Sequence, residues 1–278
     1  TSSAGLLKTS TTVAKDLTVA ADKVVRTTSG SIEVAASQDV VLKGNTPSGS
    51  TLVRPAAIYV AGKLASDPAN LAVRTASVKS AWEQYTEQGG RLEVSAGRNV
   101  VAPATSELFG NWLLHTGPSA GSVTWWTAFD SFRQGLGSMG GGNLRVVAGN
   151  DIRNVGVAST TTGRTVQDPT TKAFSQVVSN GGDVLVRAGN NVSGGAYLLS
   201  RGLGAIEAGG SITTGDTYTD ANNIPKMGLI LGLMDGQWAV RANGDVAMTA
   251  VYNPTIVSGQ TVTPTGGKAR VDGNMAAS

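Results

Sequence analysis

Six polar side chains stand at one position of a recurring pattern: Asp39, Asn99, Asp151, Asn191, Ser211 and Asp245. Stacked oxygens of this kind could ligate calcium, which takes six to eight of them. They could equally form a structural corner ladder, each side chain bonding its own backbone at a turn. Charged and neutral members alternate along the series, which keeps like charges off neighbouring repeats, whereas a calcium stack would bring them together. The expectation for Asp39, Asn99, Asp151, Asn191 and Asp245 is therefore a ladder, with no metal and no cofactor. Asp216 and Asp220 in GDTYTD lack the glycine–aspartate repeat of calcium-binding solenoids.

Aromatic residues form the second set. Of 14 rings, six fall between 103 and 140: Phe109, Trp112, Trp125, Trp126, Phe129 and Phe132. Exposed on a rigid scaffold, Trp112, Trp125, Trp126, Phe129 and Phe132 would offer a platform for sugar faces or a partner. Buried, the same rings would pin their segment onto the scaffold. Paired carboxylates are the third possibility, because a glycoside hydrolase needs two on one face. Glu33 and Glu93 share a repeat position, but other coils between them would hold them roughly 15 Å apart. The single histidine, His115, has no G-x-S-x-G partner motif and is expected in a loop.

What must position these groups is an eleven-residue unit. It reads GSIEVAASQDV (30–40), GRLEVSAGRNV (90–100), GNLRVVAGNDI (142–152), GDVLVRAGNNV (182–192), GLGAIEAGGSI (202–212) and GQWAVRANGDV (236–246). Weaker copies are KDLTVAADKVV at 15–25 and GKARVDGNM at 267–275. Ile32/Val34/Ala36, Leu92/Val94/Ala96 and their equivalents alternate with polar residues, the period of a half-buried strand. The glycines that follow (Gly97, Gly149, Gly189, Gly209) suit a corner needing φ > 0. The apolar series resumes at Val40, Val100, Ile152, Val192, Ile212 and Val246. A strand, a corner and another strand make one coil of a solenoid.

The opening glycines are spaced 60, 52, 40, 20 and 34 residues apart. A bare coil of 20 then predicts two or three coils in the longer intervals and about ten in all, a rod on the order of 50 Å. Excursions are expected at 55–88, 103–140 and 214–235, with a short helix near 78–88, another in WTAFDSFRQGLG, and a buried strand at the apolar run 227–234. The fold class expected is all-β, a parallel β-solenoid with short helical or loop excursions.

Composition narrows function further. Only 15% of residues are charged, 37 are glycine, and the net charge is +3 with no basic cluster, so no nucleic-acid footprint is present. There is no cysteine, hence no disulfide or thiolate site. No apolar run approaches the 18 residues that span a bilayer. The opening TSSAGLLKTS has neither initiator Met nor a signal-peptide pattern and is expected to belong to something longer.

The repeats, with WWTAFDSFRQGLGSMGGGNLRVVAGNDI (125–152) and GGDVLVRAGNNVSGGAYLLSRGLGAIEAGGSI (181–212), resemble the filamentous haemagglutinin family. The likeness covers about 85–275 and is strongest to a C-terminal-region domain of uncharacterised role. It implies a right-handed parallel β-helix and two-partner secretion through an outer-membrane transporter of Gram-negative bacteria. It also implies a place in the medium or at the cell surface. The role expected is structural and adhesive, binding a glycan or protein of host or bacterial cells. The alternatives are a passive stalk presenting another domain, such as a toxin tip, and a polysaccharide-cleaving β-helix enzyme. Exposed edge strands leave self-association open.

Overall fold

The computed structural model describes residues 9–13, 15–45, 54–65, 85–104, 109, 112–119, 122–132, 135–215, 228–254, 259–262 and 268–271. The repeat unit winds a parallel β-helix with three walls, called sheets below; the first and third are joined into one twelve-stranded sheet by Ala196–Ala208 and Ile230–Ala242, which run through both. The first holds Thr9–Val13, Ile32–Ala36, Leu92–Ala96, Leu144–Ala148, Val184–Ala188 and the stretches 204–208 and 238–242. The second holds Leu17–Val19, Val40–Leu42, Val100–Val101, Ile152–Arg153, Val192–Ser193 and Ile212–Thr213, closed by a bridge to Val246. Val24–Thr27, Ala57–Val60, Gly135–Ser138, Gly156–Ser159, the stretches 196–199 and 230–233, and Ala250–Tyr252 make the third.

Successive motif copies lie on adjacent coils in the same register: Ile32 against Leu92, Leu92 against Leu144, Leu144 against Val184, Val184 against Gly204. Every interval between copies is therefore one coil, whatever its length. The described residues make seven coils, not ten, and at about 4.8 Å per step the rod is on the order of 30 Å. The copy at 15–25 also moves. Leu17 pairs with Val40, so Asp16 is the corner residue and the preceding strand is Thr9–Val13. Lys268–Val271 pairs antiparallel with Gly259–Val262 instead of forming a coil.

Inward rows stack like on like. Val34, Val94, Val146, Val186 and Ile206 form one row, Ala36 to Ala208 another, and Val40 to Ile212 a third, all buried. Each such aliphatic side chain contributes roughly 1.5–3 kcal/mol relative to exposure. The corner glycines are needed for a different reason than φ, which is not positive at Gly97, Gly149, Gly189 or Gly209. Each sits directly over the coil before it, and a Cβ on Gly97 would be driven into the Ser37 carbonyl oxygen, as one on Gly149 would into that of Gly97.

The excursions leave from two corners and build a side sheet in the order 174–180, 161–167, 122–127, 113–119, 259–262, 268–271. The hairpin of Thr161–Gln167 and Phe174–Asn180 was not anticipated, because the 40-residue interval containing it reads as two bare coils. Its tip is an Asx turn, in which the amides of Thr171 and Thr170 donate to Asp168 and hold that carboxyl below its ordinary range. The expected helix in 126–137 is a single 3-10 turn, Phe129–Ser131. Of the helix expected at 78–88, most lies outside the described residues. Its end, Thr86–Glu87, is a strand antiparallel to Lys63–Leu64. The apolar run opens a strand, Ile230–Ala242, of which Ile230–Gly232 are buried, as is Leu229 before it, while Leu233 and Met234 are half-buried.

Candidate interaction surface

The polar corner column forms a ladder, with one correction to the expected bonding. Each side chain reaches the next coil's backbone, not its own. Asp39 Oδ1 accepts from the Asn99 amide at 3.0 Å, Asn99 Oδ1 from Asp151 at 3.2 Å, and Asp151 Oδ1 from Asn191 at 3.1 Å. Asn191 Oδ1 continues to Ser211 at 2.8 Å and Ser211 Oγ to Asp245 at 3.1 Å. Asp16 starts the column by accepting from the Asp39 amide at 3.1 Å. On three coils the preceding residue adds a second bond backwards: Arg98 to Asp39 at 2.9 Å, Asn150 to Asn99 at 2.9 Å, Asn190 to Asp151 at 3.0 Å. Asp16 and Asp39 are the one adjacent like-charged pair, and the Arg98 guanidinium lies 3.8 and 2.9 Å from them. Among the described residues, no three acidic or histidine side chains converge as a metal site.

The aromatic set is not a platform. Trp112, Trp126, Phe129 and Phe132 are buried, as is Phe109. Phe132 stands edge-on to Trp112 at 5.0 Å and to Tyr59 at 5.5 Å, and Phe129 stacks on Tyr59 at 5.7 Å. Their floor is the outward face of the third sheet, with Tyr59, Ala158 and Leu198 in one row and Ala57 and Ile230 in another. Trp126 points the other way, packing with Leu114 and Ala128 against Tyr85. Trp125 alone keeps some exposure, with its ring over Gly163 and its indole N–H donating to Thr161 Oγ1 at 3.2 Å. The rings are pins because the third sheet supplies a second apolar face for them to cover. His115 is a strand residue, paired with Trp125 in Leu113–Ser119, not a loop residue. Two further phenols are shielded from water. Burial pushes Tyr252 up to about 12, and Tyr197, whose hydroxyl donates to the Gly194 carbonyl at 3.2 Å, higher still.

The first sheet, in contrast, leaves its outward rows half-exposed. One row runs Glu33, Glu93, Arg145, Leu185, Ala205, Ala239, and the next Ala35, Ser95, Val147, Arg187, Glu207, Arg241. Ion pairs tie neighbouring coils: Arg145 to Glu93 at 2.8 Å, and Arg187 and Arg241 to the two oxygens of Glu207 at 2.6 and 3.4 Å. Glu33 and Glu93 are thus direct neighbours, not separated by intervening coils. Where the first row shrinks to alanine, a groove of about 540 Å³ opens, lined by Arg145, Leu185, Ala205, Ala239, Asp183 and Gln237. Leu203 stands on its rim, 64% exposed. Nothing in the spacing of the motif signals this groove, which exists because Ala205 and Ala239 stack beside larger neighbours.

Comparison with protein-family models, with curated proteins and with solved structures gives no match.

Proposed function

We propose that this chain is a structural and adhesive segment of a secreted, surface-associated bacterial filamentous exoprotein, with the outward face of the first sheet as its contact surface. The observation that carries the reading is a rigid, fully stacked solenoid whose excursions cover the third sheet while the first keeps a half-exposed face with an open groove. The repeat and link residues that resemble filamentous haemagglutinins supply the context of export through an outer-membrane transporter. The groove combines an apolar floor with Arg145, Asp183 and Gln237, a mixture suited to a cell-surface glycan or an extended protein segment.

The test is binding of the purified protein to glycans and to host and bacterial cells, with polysaccharide chain length read in the same wells. Saturable binding weakened at least about tenfold by Leu203→Asp with Gln237→Ala supports the adhesive surface. Absence of binding would overturn it in favour of a stalk. A second reading is favoured by one observation, the adjacency of Glu33 and Glu93, since paired carboxylates are what glycoside hydrolysis uses. Shortened polysaccharide that Glu33→Gln abolishes would install that reading instead.

A further inference from the structure

The groove on the first sheet has a repeat of its own, running along the solenoid axis. Arg145, Leu185, Ala205 and Ala239 are direct partners on four successive coils and make its floor. Asn143, Asp183, Leu203 and Gln237, each two residues earlier on the same coils, make one wall. Four coils give three steps, so about 14 Å of groove at about 4.8 Å each. Leu203 and Ala205 have a coil on either side of them, so the groove opens laterally and what stacks on the terminal coils does not decide its exposure.

A short ladder lies in the wall. Asn143 Oδ1 accepts from the Asp183 amide at 3.0 Å, and Asp183 Oδ1 from the Leu203 amide at 2.9 Å. It stops there, because leucine offers no acceptor, and a side chain 64% exposed stands where the polar column would continue. Among the described residues, Asp183 Oδ2, the Asn143 side-chain nitrogen and the Gln237 side chain carry no hydrogen bond. Alkyl groups thus alternate with open donors and acceptors, which is what the C–H face and hydroxyl rim of a sugar ring match.

The step decides between a sugar chain and a peptide. One coil is close to the length of one unit in an extended, equatorially linked polysaccharide. An extended polypeptide presents the same face only every two residues, about 6.6 Å, and does not keep pace with the coils. Charge then selects a neutral chain. Arg145 is held by Glu93 at 2.8 Å, and beside the groove Arg187 and Arg241 share Glu207. A uronate or sulfated chain would meet the Asp183 carboxylate and guanidinium groups already paired.

We infer that the groove binds a neutral, extended β-1,4-linked polysaccharide laid along the solenoid axis, one sugar unit to each coil. This rests on the adhesive reading and names what that surface holds.

Titration calorimetry with β-1,4-linked glucose and N-acetylglucosamine oligosaccharides of two to six units tests it. Affinity for at least one series should climb with each unit up to four, gain little beyond, and be indifferent to salt, while polygalacturonate is not bound. Ala205→Gln, which lengthens a floor side chain into the groove, should weaken binding at least about tenfold. Ala35→Gln, on the same face but outside the groove, should leave it unchanged. An unchanged circular dichroism spectrum checks that both variants fold. Oligosaccharide binding indifferent to Ala205→Gln, or a preference for the polyanion that salt abolishes, would overturn the inference. Binding to cells that Ala205→Gln weakens, with neither oligosaccharide series bound, would also overturn it, leaving the adhesive surface standing with a protein in the groove. Binding to neither cells nor oligosaccharides would overturn both readings together.

Discussion

The first and third sheets are wound from the same coils, run parallel and bury equivalent inward rows, yet they have opposite outer faces. The first alternates buried and half-exposed residues, as in Ile32–Ala36, Leu92–Ala96 and Leu144–Ala148. The third is buried on both sides, without alternation, through Ala57–Val60, Gly135–Ser138 and Gly156–Ser159. A strand covered on both faces has no polar positions to alternate with. The difference lies in the chain that leaves the corners: hairpins carrying Trp112, Phe129 and Phe132 lie on the third sheet, and none of the described residues forms such a layer on the first. One face is thereby made a core and the other is kept as surface.

The sharpest way to break that contrast is to empty the second core. Phe132 is fully buried between Tyr59 and Trp112, so Phe132→Ala should cost about 3–5 kcal/mol, the range of buried aromatic truncations. Val147→Ala, on the outward face of the first sheet, should change stability by no more than about 0.5 kcal/mol. Urea unfolding followed by tryptophan fluorescence gives both values. Similar losses from the two would mean that the outer face of the first sheet is covered as well.

The same asymmetry decides what could be read from the residues alone. The first-sheet rows and the second-sheet series were legible because one polar face leaves a period of two. The third sheet was not: AIYV, GLGS, GVAS and AYLL carry no alternation, so strands 57–60, 135–138 and 230–233 fell inside the stretches expected as excursions. Coil count failed for a related reason, since a 60-residue interval between Gly30 and Gly90 looks like three coils when its insertions are not recognised. For the aromatics, clustering was visible but burial was not, because their cover comes from Tyr59, Leu198 and Ile230, far away in the chain. The corner column was found, while its partners were not, because a contact to the next coil depends on register and not on local sequence.

That register is the next thing to disturb. Asn99 accepts from Asp151 and Asn150 and donates its side-chain amide to Asp39 at 2.9 Å, so it links three coils at one corner. Asn99→Ala leaves a part-buried amide without an acceptor and should cost about 1–3 kcal/mol. Asn99→Asp keeps the acceptor but places a carboxylate between Asp39 and Asp151. It should therefore destabilise at neutral pH and recover as the pH falls towards the carboxylate range. Denaturation midpoints at neutral and mildly acidic pH separate the two effects.

A smaller signal comes from the phenols held at the third sheet. Tyr252 is raised to about 12 by burial, and Tyr197 is raised in the same direction. An acid whose folded value is raised keeps its proton longer folded than unfolded. Its contribution is complete below the ordinary phenol value near pH ~10 and is lost as pH climbs through the folded one. Stability should therefore fall steadily above that point, and Tyr252→Phe should flatten the decline by removing its own share. Urea midpoints taken from pH ~8 to ~11 measure the slope. An unchanged slope in the variant would place Tyr252 in water, outside the second core.

The smallest effect belongs to the ion ladder on the exposed sheet. Arg187 pairs with Glu207, which also holds Arg241, and Arg187 is itself about half exposed. Water and salt screen such contacts, so Arg187→Ala should cost less than about 1 kcal/mol, and less again when ionic strength is raised. Because Glu207 keeps Arg241 as a partner, no buried charge is stranded by the change. If Arg187→Ala instead cost as much as Phe132→Ala and did so independently of salt, the first sheet would be holding the coils together through its outer face. The division between a covered, structural side and an open, contact-ready side would then fail at its simplest point.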